Sequence, residues 1–313
     1  MRFALCLRKA PAFLMALAIG ACSGGQSINS DARGSDRTSS NPAQLNSVDE
    51  VLNAVATTLR FSEPYYRESA PSRPSWGGGS AEGEYRENCE RSGEIVYDES
   101  AKRTDYIECL QTFVDGYSDH LSDGVISETC FNESQADVGR CLNYEAMRWQ
   151  IHNDDSFLPE EQTLTYDLDG QLLIDETNFG HRLLVHISKR DMVEFRGETK
   201  TWEFDAEGLE VEITYESALQ ASQMHIDGYL ETTSPENSEC ADGQLGVKTP
   251  APLEDMRTTG VPQSGRLELS SAGSEPVTVT FSNDGTLSFA LDGEEHFFQT
   301  AELNERCGYR VQN

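Results

Sequence analysis

Basic residues are scarce in this chain of 313: 24 Lys and Arg stand against 54 Asp and Glu, a formal net charge of −30. A field of that sign repels nucleic acid and anionic lipid, so neither is bound through the general charge of the protein. Long apolar runs are absent beyond residue 21, which excludes a bundle of membrane-spanning helices. Proline and glycine number 11 and 25, too few for a collagenous or low-complexity chain. The chain also lacks a phosphate loop, a dinucleotide fingerprint and a Gly-x-Ser-x-Gly elbow; Gly78-Gly79-Ser80-Ala81-Glu82 comes nearest and misses the closing glycine. Hydrophobic residues make up 37%, enough to build a core while showing water a large polar face, in one or two globular domains.

The N-terminus does carry a message. Arg2, Arg8 and Lys9 precede an apolar run from Ala10 to Ala21, broken only by Pro11 and Gly20. This is the layout of a signal peptide over residues 1–21, too short to stay in a membrane as a spanning helix. The run ends in Ile19-Gly20-Ala21-Cys22, which resembles a bacterial lipobox. That resemblance implies cleavage before Cys22 and lipidation of its thiol; an ordinary secretory signal cleaved nearby is the competing reading. One acyl chain holds a membrane marginally, whereas two or more hold it stably, at ~0.8 kcal/mol per buried methylene. Ser23 stands where lipoproteins kept at the inner membrane typically carry Asp, so the resemblance implies the outer membrane, at its periplasmic or cell-surface face.

Loss of residues 1–21 removes three cations and no acid, taking the net charge to −33. Capture of a cationic partner is one reading of that excess; a solvated face adapted to a salty exterior, where the Debye length is about 8 Å, is the simpler one. Residues 22–46 then read as the lipidated cysteine and a polar tether, with a flexible reach of roughly 27 Å. Ser47-Val48-Asp49-Glu50 fits a capping box, and Val48, Val51, Leu52, Val55 and Leu59 recur at helical spacing. The spacing predicts one short helix over 48–60, its apolar stripe a packing surface. Pro71 to Gly79, with two prolines and three consecutive glycines, reads as a spacer that closes a segment 47–79.

From residue 80 onward the period is two. Leu183, Val185 and Ile187 alternate with polar neighbours, as do Leu209, Val211, Ile213 and Tyr215, and Val277, Val279 and Phe281. Seven Asp-Gly pairs, beginning at Asp115, Asp123, Asp169, Asp227, Asp242, Asp284 and Asp292, are the chemistry of tight hairpins. Their intervals share no period, so no solenoid repeat is supported. The expected fold is mainly β, a large antiparallel meander sheet or sandwich over 80–313 with one short N-terminal helix. The Ser/Pro/Glu-rich stretch near 232–262 divides two strand-rich regions, 80–232 and 262–300, which form one sheet or two.

Six cysteines remain after Cys6 and Cys22, an even set for an oxidising compartment. If 84–89, 93–98 and 104–109 are adjacent strands, Cys89 and Cys109 end at the same edge and pair. Cys130 with Cys141 would close a short loop, and Cys240 with Cys307 would tie the connector to the C-terminus, the latter without a geometric argument. A thiolate metal site fails on spacing, for there is no Cys-x-x-Cys and no His-x-x-x-His. His181 and His186, the closest of six histidines, are an odd number apart and would point to opposite faces of one strand; exposed or edge positions are expected for all six. Asp167-Leu168-Asp169-Gly170 places its glycine too early for a calcium loop and reads as a hairpin turn. Acid pairs for glycoside chemistry lose diagnostic value among 54 carboxylates. Of the tryptophans, Trp76 is expected to be exposed and Trp202 to lie in a core strand with Phe204. No cofactor or metal is implied.

Asn88-Cys89 through Cys109 with Ser92-Gly93 between, Pro262-Gln263-Ser264-Gly265-Arg266-Leu267-Glu268-Leu269, and Val277-Thr278-Val279 together resemble uncharacterised Gram-negative lipoproteins with long antiparallel strands. The resemblance implies location and fold, and carries no catalytic residues. The functional expectation is a non-enzymatic module that binds or scaffolds an envelope protein or glycan and meets the membrane through its N-terminal lipid. A lipid carrier with a curved half-barrel and an envelope-polymer hydrolase are the alternatives.

Overall fold

The computed structural model describes residues 41–67, 84–112, 118–128, 130, 140–153, 162–177, 180–195, 198–217, 220–236, 238–254, 261–304 and 306–308. The expected signal segment, Cys22, Trp76 and the expected spacer through Gly79 lie outside the described residues. One helix, α1 (Val48–Arg67), leads. Behind it come β1 (Glu84–Asn88), β2 (Ser92–Asp98), β3 (Arg103–Thr112), β4 (Ser118–Ser127), β5 (Arg140–Asn153), β6 (Gln162–Thr177) and β7 (Gly180–Phe195). Then follow β8 (Glu198–Ser217), β9 (Gln220–Thr233), β10 (Gly243–Glu254), β11 (Ser264–Ser270), β12 (Val277–Ser282), β13 (Thr286–Leu291) and β14 (Glu294–Gln299). Each strand pairs antiparallel with the next, giving a single open sheet of fourteen strands among the described residues. The mainly β meander is therefore correct, and the sandwich alternative is not adopted. The connector near 232–262, read as a division, instead contains β10, which joins β9 to β11 in the same sheet.

The helix starts where its capping box places it. The Glu50 amide donates to Ser47 Oγ at 3.3 Å, and the Glu50 carboxylate accepts from the Asn46 amide at 2.8 Å, one residue beyond the usual partner. It runs to Arg67 rather than stopping at residue 60. The residues before it are also more structured than a tether: Ala43 and Leu45 are buried, and the Ala43 amide donates to the Gln244 carbonyl at 3.0 Å. Gly243 makes this docking fit, because a Cβ there would lie 2.0 Å from the Asn41 carbonyl oxygen. The tether through Asn46 is thus corrected, with residues 41–46 belonging to the fold.

Side chains from β5 through β13 share one buried cluster with Val51, Leu52, Val55, Leu59 and Phe61 of α1. A helix is about 10 Å wide, whereas nine strands laid flat would span about 40 Å. One helix cannot cover such a width on a flat sheet, so a single buried cluster that joins it to nine strands implies a curved sheet. Bulges supply part of that curvature. In β5 the inward set runs Leu142, Tyr144 and then Met147; in β8 it runs Phe204, Ala206 and then Leu209 and Val211. The two residues at each change of phase, Glu145-Ala146 and Glu207-Gly208, face outward together, and the ladders shift register there.

The Asp-Gly pairs turn out to serve this purpose as much as turns. Asp284-Gly285 and Asp292-Gly293 do sit at hairpin tips, between β12 and β13 and between β13 and β14. Asp123-Gly124, Asp169-Gly170 and Asp227-Gly228 lie inside β4, β6 and β9, and Asp242-Gly243 opens β10; Asp115 is outside the described residues. Asp167 to Gly170, expected as a hairpin turn, is therefore mid-strand. In β4 and β6 the aspartate answers the bulge on the strand before it: Asp123 Oδ1 accepts the Glu108 amide at 3.2 Å, and Asp169 Oδ1 accepts the Ala146 amide at 3.3 Å. Glu108 and Ala146 both have positive φ, and the bulge frees their amides from the ladder. Gly170, at φ +124°, then lets β7 approach so closely that a Cβ would meet the His186 carbonyl oxygen at 2.1 Å.

Three disulfides staple the result. Cys89 pairs with Cys109, Cys130 with Cys141 and Cys240 with Cys307, at Cα separations of 5.4, 5.2 and 4.4 Å.

Candidate functional site

Two constellations of polar side chains stand apart from ordinary packing, one on each face of β7. The inner one grows out of strand alternation. Leu183, Val185 and Ile187 face the core, and the same face continues into Lys189 and then Asp191. Pairing sets Trp202 opposite Asp191 and Phe204 opposite Lys189 on β8, with Tyr166 opposite Asp191 on β6. Arg60 projects from the second half of α1 and meets Asp191 Oδ2 at 3.2 Å; Lys189 Nζ reaches the same oxygen at 3.1 Å. The carboxylate is 4% exposed, the Arg60 and Lys189 side chains 11% and 14%, so this is a buried ionic cluster.

Aromatic faces complete its walls. The Arg60 guanidinium carbon lies 4.3 Å from the centre of the Trp202 ring and 5.5 Å from that of Phe204, and Lys189 Nζ lies 5.7 Å from the Phe204 ring. These distances let the π quadrupoles help replace the hydration that both cations lose. Arg60 Nη1 also donates to the Cys307 carbonyl. Around the same helix, Arg306 donates to Asn53 Oδ1 at 2.7 Å and pairs with Asp49 at 3.0 Å, while the Ala241 amide donates to Thr57 Oγ1 at 3.0 Å. The Cys240–Cys307 disulfide joins these two segments, so α1, β7 and the C-terminal turn are clamped at one place. Among the described residues Asp191 Oδ1 and Trp202 Nε1 are buried without hydrogen-bond partners, an acceptor and a donor on directly paired residues.

On the outer face, Cys141, Leu173 and Leu184 form a small apolar cluster against which Cys130 packs through its disulfide. Next to it His186 is half-buried. Its Nδ1 accepts the Gly208 amide at 3.1 Å, the amide that the β8 bulge frees, while Nε2 is buried without a partner. Burial pushes the imidazole pKa down, and the carboxylate of Glu207 partly opposes that shift. The other histidines scatter. His152 meets Thr163 at 3.0 Å, His225 meets Thr249 at 3.4 Å, and His296 packs beside Phe289 and Phe298 at ring separations of 5.7 and 6.4 Å. His181 shares β7 with His186, and its side chain is outside the described residues. The outward side of β8 and β9 carries Glu203, Asp205, Glu207, Glu210, Glu212, Asp227 and Glu231, with Asp205 directly across from Glu231 and Glu210 across from Asp227. Among the described residues no three of His, Cys, Asp and Glu gather as a metal-binding group.

Of the residues singled out from sequence, the six cysteines come together in the three expected pairs, and Trp202 is buried beside Phe204 as expected. Arg60, Lys189, Asp191 and His186 were missed as a functional set. A signal existed for two of them, since the Leu183-Val185-Ile187 alternation continues in phase to Lys189 and Asp191. Compared with protein-family models, curated proteins and solved structures, the chain matches none.

Proposed function

We propose that this chain is a non-catalytic, lipid-anchored binding or scaffold module of the outer membrane that presents the outer face of its curved sheet to an envelope protein or glycan. One observation carries the preference: the inward face of the sheet is packed in one buried cluster with the chain's own helix, with Val51, Ala54, Val55 and Leu59 of α1 wholly buried. What is offered to a partner is then the rigid outer face and the rims. Cys22 supplies the anchor in this reading, and the polar residues ahead of Asn41 set the module off from the lipid.

The curvature itself favours a second reading, a lipid carrier, because a curled sheet is the shape of a half-barrel. That reading requires α1 to leave the position a lipid chain would occupy, and the ionic clamp on Arg60 opposes such a movement.

The test is photo-crosslinking in intact cells from a probe at Tyr229, which is 60% exposed on β9. Capture of one defined envelope protein or glycan is the expected outcome; co-purified lipid released only when α1 is unlocked would favour the carrier. Turnover of an envelope polymer by purified protein, abolished by one carboxylate substitution, would overturn both. In parallel, Cys22→Ser should move the protein out of the membrane fraction or leave it unprocessed, and mature protein that still sediments with membrane would refute the anchor.

A further inference from the structure

We propose that His186 is an acid-sensitive latch on the bulge between β7 and β8: the neutral ring holds the Gly208 amide, and protonation expels the ring and frees that amide.

The geometry leaves the imidazolium no place in the closed arrangement. His186 Nδ1 accepts from Gly208 at 3.1 Å, so the ring is the tautomer that carries its proton on Nε2. Adding a proton to Nδ1 would set two N–H donors against each other across that distance. The other pole of the cation, Nε2–H, is buried and makes no hydrogen bond among the described residues that could share the charge. The backbone cannot yield instead, because the His186 carbonyl is wedged against Gly170, where even a Cβ would come within 2.1 Å. Rotation of the side chain towards solvent is the motion left open.

Groups on every neighbouring strand bear on that motion. Across β8 stands Glu207, with Asp205 and Glu210 diagonal to it; across β6 stands Gln171, with Asp169 diagonal. On β7 itself Arg182 and Arg190 share the outer face, and both are engaged, Arg182 with Glu210 at 2.5 Å and Arg190 with Glu203 at 2.8 Å. The swung-out cation therefore meets exposed carboxylates, Glu207 first, while the neutral ring stays in place. The result is a two-position element biased by one proton. Its effect reaches the core, because Ala206 and Leu209 flank the bulge and pack inward.

Burial lowers the His186 pKa, so the folded state binds this proton less readily than the unfolded chain. The stability it contributes is complete above the ordinary imidazole range, about pH 6.5, and is lost as the pH falls from there towards the depressed folded-state value.

The experiment is hydrogen exchange on the full mature chain at about pH 7.5 and about pH 5, read on peptides covering Gly208 and corrected for intrinsic exchange chemistry. Protection at Gly208 should fall several-fold at the lower pH, because the protonated ring no longer accepts its amide. His186→Asn keeps an acceptor oxygen near the Nδ1 position and does not titrate, so its protection should stay level. Equal wild-type protection at the two pH values, or the same loss in His186→Asn, would overturn the latch.

Discussion

Removing the Asp191 carboxylate should cost more stability than removing either cation that it binds. Asp191 is the hub: one oxygen receives Arg60 at 3.2 Å and Lys189 at 3.1 Å, with all three side chains largely out of water. Asp191→Ala strands two cations in a low-dielectric setting, a change worth about 3–5 kcal/mol when a buried partner is lost. Arg60→Met is milder. Lys189 still neutralises the carboxylate, and what disappears is the stacking on Trp202 and the bond to the Cys307 carbonyl, together about 2–3 kcal/mol. Replacing the whole cluster, with Arg60→Met, Lys189→Met and Asp191→Leu combined, should restore much of the stability, because no charge is left unpaired. The assay is urea unfolding of the purified chain with disulfides intact, followed by tryptophan fluorescence. With a slope of about 3 kcal/mol per molar urea, Asp191→Ala should lower the midpoint by about 1–2 M. An Asp191→Ala protein within about 1 kcal/mol of wild type, or one more stable than Arg60→Met, would refute the hub argument.

Neighbouring residues in β6 should respond very differently to alanine. Gly170→Ala combines a strained φ of +124° with a Cβ placed 2.1 Å from the His186 carbonyl, for about 3–5 kcal/mol, whereas Asp169→Ala removes one exposed hydrogen bond to Ala146, about 1 kcal/mol; thermal unfolding separates them, and equal effects would contradict the close approach of β6 and β7. Paired Cys→Ser changes should rank by loop length. The 67-residue separation of Cys240 and Cys307 predicts a loss of about 4 kcal/mol and the 11-residue separation of Cys130 and Cys141 about 3 kcal/mol, with denaturant midpoints as the measure and a reversed order as the contrary result.

Local rules written into the sequence determined much of this protein. The two-residue alternation of Leu183-Val185-Ile187 and Leu209-Val211-Ile213 makes strands wherever they are placed, Ser47 and Glu50 start a helix through bonds within one turn, and the even set of six cysteines beyond Cys22 pairs. The phase change across Glu207-Gly208 in β8 was not read from the sequence, although Trp202, Phe204 and Ala206 are spaced evenly from one another but not from Leu209. Asp-Gly was not decidable in this way. The positive φ that glycine permits suits a hairpin tip and a mid-strand bulge alike, so only the neighbouring strand distinguishes Asp284-Gly285, which turns, from Asp169-Gly170, which accepts an amide from β5 and admits β7.

The extent of the helix and the charged cluster belonged to tertiary structure altogether. Ala43 and Leu45 sit in polar sequence that, taken alone, cannot bury enough surface to order itself, and they become buried because the Gly243-Gln244 end of β10, ahead of its pairing with β11, offers a free ladder position and a glycine to lie against. Lys189 and Asp191 continue an inward-facing alternation, yet a lone charge is expelled from a core. They stay inside because they pair with each other at 3.1 Å and because Arg60, 131 positions away along the chain, adds a second bond to the carboxylate, a partner that only the packing of α1 on the sheet brings within 3.2 Å.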